Sequence, residues 1–419
     1  MPALLDELAW RGLLYDHTDR LADALAAGPV TGYCGFDPTA DSLHVGSLIP
    51  VMGLLHLQRA GHRPVILVGG GTGLIGDPSG KSTERPLQSR EQIAANSAAL
   101  RKQLERFLDF TGPHAARIRD NSEWLGPLVL VDFLRDVGKH FSVNVMLAKD
   151  SVKSRLEAGI SFTEFSYMLL QAYDFLELHR RDGVTLQLGG SDQWGNITAG
   201  IELIRRTCSA ESNGLVLPLV TTATGTKFGK TEAGAVWLDP ARTSPYQFYQ
   251  FWINSDDRDT GRYLRYFTLL SRDVIAALDA ETAANPARRE AQQQLALDVT
   301  RRVHGEDAAR TAAEVSATLF RGGDVRTLST RALEVLAAEI PYAEVPRAES
   351  FDTLDLFFAV RIAPSKGAIR RLLEGGGLSV NGRKLPATDR AIPVTEALAG
   401  GYFLLRKGAR DYALARIAG

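Results

Sequence analysis

The sequence predicts an α/β protein, in which a parallel sheet covered by helices is followed by a helical segment and a small basic module. The first half alternates short apolar runs that end at glycines with segments of helical periodicity, which is typical of a parallel sheet. From residue 244 to about residue 321 the spacing is helical only. Residues 351–419 carry eleven basic and six acidic side chains, hence +5, whereas the whole chain carries −1. A basic module of this kind favours contact with a phosphate backbone.

Each apolar run of the first half has a predicted place in the sheet. We predict buried strands at 30–36, 64–68, 185–188 and 216–220, and a helix at 45–60 that ends at Gly61. In sheets of this kind ligands bind beyond the carboxyl ends of the strands. Further helices are predicted at 246–252, 259–270 and 286–303, before a mixed stretch at 322–349 that contains a linker.

Composition narrows the class of protein. With 419 residues, 45% hydrophobic and 23% charged, the chain fits a soluble protein of two or three domains. Its two cysteines, Cys34 and Cys208, give neither a disulfide framework nor a metal-ligand cluster. The first ten residues lack the basic start of a signal peptide, and no run approaches the roughly 18 apolar residues of a membrane helix. We therefore predict a cytoplasmic enzyme with no metal site of its own and no membrane partner.

The run YCGFDPTADSLHVGS, residues 33–47, joins a predicted strand to a helix start. Backbone amides and the helix dipole make such a junction an anion site. Gly46 leaves room for a base or ribose against the backbone, and Thr39 and His44 can donate hydrogen bonds to phosphate. Pro50 is tolerated near a helix start, which places the helix beginning close to His44. Taken alone, an H-x-G-S string is more often a polar loop with a helix cap.

The run KFGKT, residues 227–231, carries two lysines beside glycines. Lysines at this spacing on a flexible loop can close over a triphosphate and stabilise charge on a leaving pyrophosphate. A lone pair of lysines at this spacing is more often a solvated basic loop.

A third segment, 162–179, is predicted as one helix. Tyr167, Gln171 and Asp174 stand at i, i+4 and i+7, so they share a face that could form a polar pocket. The spacing alone is more often that of a partly exposed amphipathic face. The string GGSDQ at 189–193 follows a predicted strand, and the glycine-rich run that precedes Asp77 lacks the lysine of a P-loop.

Together, in this order, these segments resemble the HIGH and KMSKS elements and the substrate helix of the tyrosyl-tRNA synthetases, a class I aminoacyl-tRNA synthetase family. The tail string SKGAIRRLLEGGGLSVNGRK resembles the S4 RNA-binding fold. The resemblance implies a Rossmann-like catalytic domain at 1–243, an α-helical domain at 244–335 and an S4-like domain at 351–419. It also implies tyrosine–tRNA ligase activity with L-tyrosine, ATP, Mg²⁺ and tRNA(Tyr). The family is homodimeric, so the resemblance further implies a homodimer whose interface is formed by the chain segment between the two nucleotide-binding halves.

The resemblance also assigns roles to single residues. Groups implied to act in catalysis are Thr39, His44, Lys227 and Lys230. Those implied to bind tyrosine, with Tyr33 and Asp174 on the phenol, are Tyr33, Asp77, Tyr167, Gln171, Asp174 and Gln193. Those implied to bind ATP are Cys34, Gly35, Asp37, His44, Gly46, Ser47, Gly190, Asp192, Lys230 and Thr231. Those implied to contact tRNA are Lys81, Arg85, Arg370, Arg371, Arg383 and Lys384.

One position departs from the family pattern, and two other functions compete. Ser47 stands where the motif often has histidine, so it can still donate a hydrogen bond but lacks the ring. A tRNA-binding or splicing-type module that lost catalysis would lack His44 or the lysines, and all are present. A tryptophanyl enzyme or a nucleotidylyltransferase is the other alternative. Tyr33 with Asp174 argues against tryptophan, and the length and basic tail argue against a lone nucleotidylyltransferase.

Overall fold

The structure of the chain is a computed structural model. It divides into two compact units, each of which makes most of its contacts within itself. The first unit comprises Met1–Ser244 and Asn254–Leu295, and the second comprises Pro245–Ile253 and Ala296–Gly419. The described residues are 2–79, 86–149, 152–153, 159–225, 228–231, 234–409 and 411–418. None of the helices in these ranges is both long enough and apolar enough to cross a membrane.

The sheet of the first unit has the order β1-β6-β5-β2-β3-β4. Its strands are β1 (Asp16–His17), β2 (Thr31–Phe36), β3 (Arg63–Val68), β4 (Arg117–Asp120), β5 (Leu186–Gly190) and β6 (Asn213–Leu217). All neighbours run parallel except the edge strand β1, which confirms the predicted parallel sheet. The strand predicted at 216–220 was placed three residues too late. It ends at Leu217 because Pro218 has no N–H to donate to the ladder.

Helices cover this sheet, and one of them lies almost wholly in the core. Nine of the twelve residues of the helix Leu48–Arg59 are buried, and a Cβ on Gly53 would lie only 2.8 Å from Leu217. The segment predicted as one helix, 45–60, consists of a short 3₁₀ turn, Val45–Ser47, followed directly by this α-helix. The helices of the first unit are α1 (Ala3–Arg11), α2 (Leu21–Ala27), α3 (Leu48–Arg59), α4 (Arg90–Leu104), α5 (Ser122–Leu125), α6 (Leu130–Asp136), α7 (Val143–Leu147), α8 (Phe162–Asp182), α9 (Trp194–Cys208), α11 (Asp257–Phe267) and α12 (Arg272–Ala284). A two-stranded hairpin, β7 (Lys230–Thr231) with β8 (Gly234–Ala235), completes the unit.

The second unit holds the helices α10 (Pro245–Ile253), α14 (Glu306–Phe320), α15 (Thr330–Glu339), α16 (Thr353–Ala359) and α17 (Lys366–Glu374). Helix α13 (Glu290–His304) begins in the first unit and ends in the second. The segment predicted as one helical domain, 244–335, is thus divided between the two units. The three-domain division stays a prediction.

A five-stranded sheet of order β12-β11-β14-β15-β9 forms the end of the chain. Its strands are β9 (Tyr342–Val345), β11 (Leu378–Val380), β12 (Arg383–Lys384), β14 (Tyr402–Lys407) and β15 (Asp411–Ile417), beside a small pair of β10 (Ser350–Asp352) with β13 (Ala391–Pro393). The sheet therefore includes a strand from the stretch interpreted as a linker. The predicted Asn-Gly turn is present, with φ of 48° at Asn381 and 81° at Gly382 between β11 and β12.

Candidate active site

A cavity of about 320 Å³ lies at the carboxyl edge of the first sheet, beyond β2, β3 and β5. Many of the predicted site residues line it although they are far apart in sequence. Those on its wall are Tyr33, Cys34, Gly35, Asp37, Thr39, Ser47, Asp77, Tyr167, Gln171, Asp174, Gly190, Asp192 and Gln193. Their convergence follows from the parallel sheet, because strand ends meet at one edge.

Helix α8 supplies one wall of the cavity. Its N-cap is Ser161, whose Oγ accepts the N–H of Glu164 at 3.2 Å, and its C-cap is Gly183, which has φ of 65°. Tyr167, Gln171 and Asp174 all line the cavity, as a spacing of four and three residues along one helical face requires. The predicted helix is confirmed and extends to Asp182.

The Asp174 carboxylate closes one end of the cavity and is only 2% exposed. Its Oδ1 accepts a hydrogen bond from Trp124 Nε1 at 2.7 Å, and its Oδ2 accepts one from Asn121 Nδ2 at 2.9 Å. Burial raises the pKa of Asp174 to about 8, against the lowering effect of these two hydrogen bonds. The two donors fix the carboxylate in orientation and leave its remaining lone pairs for a ligand.

Two further polar atoms at this end have no hydrogen-bond partner among the described residues. They are the hydroxyl of Tyr33, whose ring packs 5.3 Å from Phe175, and Oε1 of Gln187. Both side chains are buried and line the cavity. A buried polar atom without a partner costs about 1–3 kcal/mol, so a ligand hydroxyl placed here would relieve that cost.

The structure joins Asp37 to the α8 side of the cavity. Its Oδ2 accepts the hydroxyl of Tyr167 at 2.8 Å, and its Oδ1 accepts Thr72 Oγ1 at 2.8 Å. The family resemblance implies that Asp37 binds ATP, and that role stays a prediction. Its observed contacts hold Tyr167 and Thr72 in place.

A second polar cluster surrounds Asp77. Gln193 Nε2 donates to its Oδ2 at 2.7 Å, and the N–H of Ser79 donates to its Oδ1 at 2.9 Å. Asn196 links the cluster to α8, because its Nδ2 donates to Gln171 Oε1 at 2.9 Å and to Gln193 Oε1 at 3.2 Å. Burial raises the pKa of Asp77 to about 6, and the nearby charge of Asp37 adds to the rise. This carboxylate is thus poised to gain from a cationic ligand group.

The other end of the cavity is formed by the last residues of β2 and the turn that follows them. Thr39 and Ser47 line the wall, and burial raises the pKa of the Cys34 thiol to about 12. His44 is exposed and is not one of the lining residues. It is the N-cap of the turn Val45–Ser47, and its Nδ1 accepts the N–H of Gly46 at 3.0 Å. The helix start predicted near His44 is confirmed.

The lysine-bearing hairpin packs on the same turn. Gly229, with φ of 79°, lies so close to Val45 that an added Cβ would be 2.6 Å from its Cγ2. Lys230 begins β7 and is exposed, so the structure does not place it on the cavity wall. Thr231 follows it in β7. Lys81, Arg85 and Lys227 lie outside the described residues, as does the side chain of Thr231.

Sequence reasoning missed five residues of this site: Thr72, Asn121, Trp124, Gln187 and Asn196. Asn121 connects three parts of the site. It donates hydrogen bonds to Asp174 and to Thr72 Oγ1, the latter at 2.8 Å, and it accepts the N–H of Gly71 at 2.7 Å. The signal that could have found it is its position directly after β4, at the same sheet edge as the predicted groups. Within the described ranges no group of three or more His, Cys, Asp or Glu could hold a metal ion.

Basic side chains predicted to contact RNA are exposed in the second unit. Arg370 and Arg371 lie on α17, and Arg383 and Lys384 form β12. Arg383 already makes ion pairs, at 2.6 Å with Asp389 and at 2.8 Å with Glu396. The charge of Arg383 is therefore already engaged by carboxylates within its own unit.

A parallel sheet with polar groups and a glycine-bounded lysine hairpin gathered at its carboxyl edge is the arrangement of a class I aminoacyl-tRNA synthetase. The family model described as tRNA synthetases class I (W and Y) matches residues 25–321. A second model, described as the tyrosine–tRNA ligase SYY-like C-terminal domain, matches residues 332–415. The chain belongs to the tyrosine–tRNA ligase family, which confirms the predicted family and makes the protein an aminoacyl-tRNA synthetase.

Individual relatives match along the whole chain. It is 58% identical over 419 residues to the tyrosine–tRNA ligase of Anaeromyxobacter dehalogenans strain 2CP-1, with 100% of both chains covered. It is 56% identical over 424 residues to that of Roseiflexus castenholzii, again with 100% of both covered. A solved structure, a C-terminally truncated mitochondrial tyrosyl-tRNA synthetase from Aspergillus nidulans, is 32% identical with a TM-score of 0.69, over 76% of this chain and 95% of that one.

Proposed function

We propose that this chain activates L-tyrosine with ATP and then transfers the tyrosyl group to the 3′-terminal ribose of tRNA(Tyr). The observation that carries the choice of amino acid is the closed end of the cavity. There a buried Tyr33 hydroxyl without a partner among the described residues faces the cavity that the Asp174 carboxylate also lines. A phenolic hydroxyl can accept from the first and donate to the second, whereas an indole N–H can only donate and a phenyl ring can do neither.

The two steps need positioning and electrostatic stabilisation more than a protein nucleophile. In the first step a carboxylate oxygen of tyrosine bonds to the α-phosphorus of ATP, and pyrophosphate leaves. In the second step a ribose hydroxyl of the tRNA attacks the activated carbonyl carbon, and AMP leaves. We assign Tyr167, Gln171 and Asp77 to the ammonium group of the substrate tyrosine. We assign Gln193 to the carboxylate group of the same substrate.

The nucleotide is assigned to the other end of the cavity. There Cys34, Gly35, Gly190 and Asp192 would lie beside the ribose, and Thr39 and His44 would donate to phosphate. Lys227 and Lys230 would stabilise the charge that develops on pyrophosphate. Mg²⁺ would enter as a companion of ATP and not as a resident ion, in keeping with its preference for substrate phosphates.

Amino-acid-dependent exchange of pyrophosphate into ATP tests this function and its specificity together. We expect exchange with tyrosine and little with phenylalanine or tryptophan, and the His44→Ala variant serves as the matched inactive control. Equal exchange with phenylalanine would overturn the assignment of the phenol site. No exchange with any amino acid would favour an RNA-binding module without catalysis.

Tyrosine affinity is expected to depend on pH through Asp77. Its pKa of about 6 means that the carboxylate takes up a proton as the pH falls from 7 to 5 and loses the charge that attracts the ammonium group. The dissociation constant should therefore rise below pH 6, approaching about tenfold per pH unit. Titration calorimetry from pH 5 to 7 measures it, with Asp77→Asn as the control that should bind weakly at every pH. A wild-type affinity that stays constant over this range would contradict the role of Asp77.

For the rest of the molecule we propose tRNA contact by Arg370 and Arg371, a cytoplasmic location, and a homodimer. The dimer proposal is supported by an apolar surface on α6, α7 and the start of α8. Its members include Leu130 at 69% exposed, Val131 at 70% and Phe162 at 79%. Large exposed apolar patches of this kind mark interfaces between proteins.

Replacing Val131 by aspartate is expected to convert the dimer into a monomer, because a charge buried without a partner opposes association. Sedimentation velocity measures the result at micromolar concentration. The control is Val274→Asp, on α12, which is 42% exposed and lies outside the apolar surface. A Val131→Asp protein that stays dimeric would place the interface elsewhere.

A further inference from the structure

A short backbone pairing, which the sequence motifs do not predict, joins the first nucleotide motif to the segment that follows the lysine hairpin. The N–H of Val45 donates to Val236 O at 3.0 Å, and the N–H of Leu238 donates to Leu43 O at 2.8 Å. Between these two bonds His44 and Trp237 stand opposite each other as an antiparallel bridge. Trp237 is therefore held next to His44 by the main chain, whatever its side chain does.

The imidazole of His44 lies between two contacts. On one side the N–H of Gly46 donates to Nδ1 at 3.0 Å, and a Cβ on Gly46 would come within 2.7 Å of the ring. On the other side the Trp237 ring meets it in an edge-on arrangement, with centroids 6.3 Å apart and planes at 68°. Since Nδ1 accepts a hydrogen bond, the neutral ring carries its proton on Nε2. The ring thus presents one defined donor.

Trp237 makes further contacts that hold it in place. The Arg242 guanidinium lies 4.1 Å from the centroid of its indole ring, a distance typical of a cation–π contact. Arg242 also pairs at 3.0 Å with Asp41, which precedes His44 in the same motif. The N–H of Trp237 donates to Thr243 Oγ1 at 3.0 Å. Contacts therefore run from Asp41 through Arg242 and Trp237 back to His44.

We propose that Trp237, clamped by Arg242, is a positioning residue that orients the His44 imidazole so that its Nε2–H can donate to a phosphate of ATP. The inference rests on the proposed function. Since the carbonyl oxygen of Gly229 also accepts the N–H of Val236 at 3.0 Å, the same pairing ties the Lys230 hairpin to His44. The donor and the lysine would thereby approach the triphosphate as one assembly.

The test is a double-mutant cycle between Trp237→Leu and His44→Ala, measured as single-turnover tyrosyl-adenylate formation. Trp237→Leu alone should slow this step about 3- to 10-fold, the factor that corresponds to a ring–ring contact, with tyrosine affinity unchanged. Trp237→Phe should restore most of the rate because it keeps an aromatic edge. In the His44→Ala background, Trp237→Leu should have no further effect.

Trp10→Leu is the matched control, since Trp10 is also half-buried with an arginine over its face, Arg272 at 5.0 Å. It should leave the rate unchanged. Equal slowing by Trp237→Leu in both backgrounds would overturn the inference, as would a Trp237→Phe variant as slow as Trp237→Leu. If Trp237→Leu fails to fold, Arg242→Leu replaces it in the same cycle with the same criteria. A wild-type protein that makes no tyrosyl-adenylate would instead overturn the proposed function.

Discussion

Replacing Lys230 by alanine is expected to slow tyrosyl-adenylate formation by about 10²- to 10³-fold while tyrosine binds as tightly as before. Lys230 is exposed at the start of β7 and does not line the cavity that would hold the amino acid. Its ammonium group is therefore available to the leaving pyrophosphate, where negative charge grows as the bond to the α-phosphorus breaks. An interaction made mainly in the transition state lowers the rate when lost and leaves ground-state affinity intact.

The measurement is a single-turnover experiment at saturating ATP, with tyrosine affinity determined separately in the absence of ATP. Lys102→Ala is the matched control, because Lys102 is an exposed lysine on α4 of the same unit and should leave both quantities unchanged. A wild-type rate in Lys230→Ala would refute the assignment of the hairpin to pyrophosphate. A large loss of tyrosine affinity would mean that the lysine supports the folded cavity instead.

Replacing Asp174 by asparagine is expected to lower kcat/KM for tyrosine by about 10- to 100-fold, since a buried polar group left without its partner costs about 1–3 kcal/mol. Trp124 and Asn121 each donate to one oxygen of Asp174. An amide in its place must turn its NH₂ group toward one of those donors, which leaves one buried N–H unpaired. The variant also loses the acceptor for the phenolic proton, so the preference for tyrosine over phenylalanine should shrink. Tyrosyl enzymes of this family are the standard example of such discrimination.

Tyr33→Phe is the companion variant, because it removes only the hydroxyl that lacks a partner and keeps the ring that packs on Phe175. It should weaken activation of tyrosine by about tenfold, the worth of one neutral hydrogen bond, and leave phenylalanine unaffected. Thermal unfolding of both variants checks that the core is intact. Asp174→Asn with wild-type kcat/KM for tyrosine would show that the carboxylate does not face the phenol.

Local sequence patterns predicted the residues that line the cavity better than the residues that hold those side chains in place. The spacing of Tyr167, Gln171 and Asp174 is a property of any α-helix, so their common face could be predicted from the sequence. The ends of β3 and β5 could be predicted from apolar runs that meet the glycines at 69–71 and 189–190. The apolar run 216–220 contains Pro218, whose missing N–H ends β6 at Leu217, so this run did not give the true bounds of the strand. The resemblance to a known family supplied the roles, which neither periodicity nor spacing contains.

By itself, the sequence determined the α/β class, the family, and which helix face and strand ends carry the chemistry, because these follow from short-range periodicity and contiguous motifs. Only the tertiary structure decided how the polar groups pair. Asp37 meets Tyr167 across 130 positions, and Asn121 meets Asp174 across 53. Such pairs form because burial removes water from each group and leaves the nearest side chain as its partner. Which side chain is nearest depends on how the helices pack on the sheet, and short-range sequence pattern does not encode that packing.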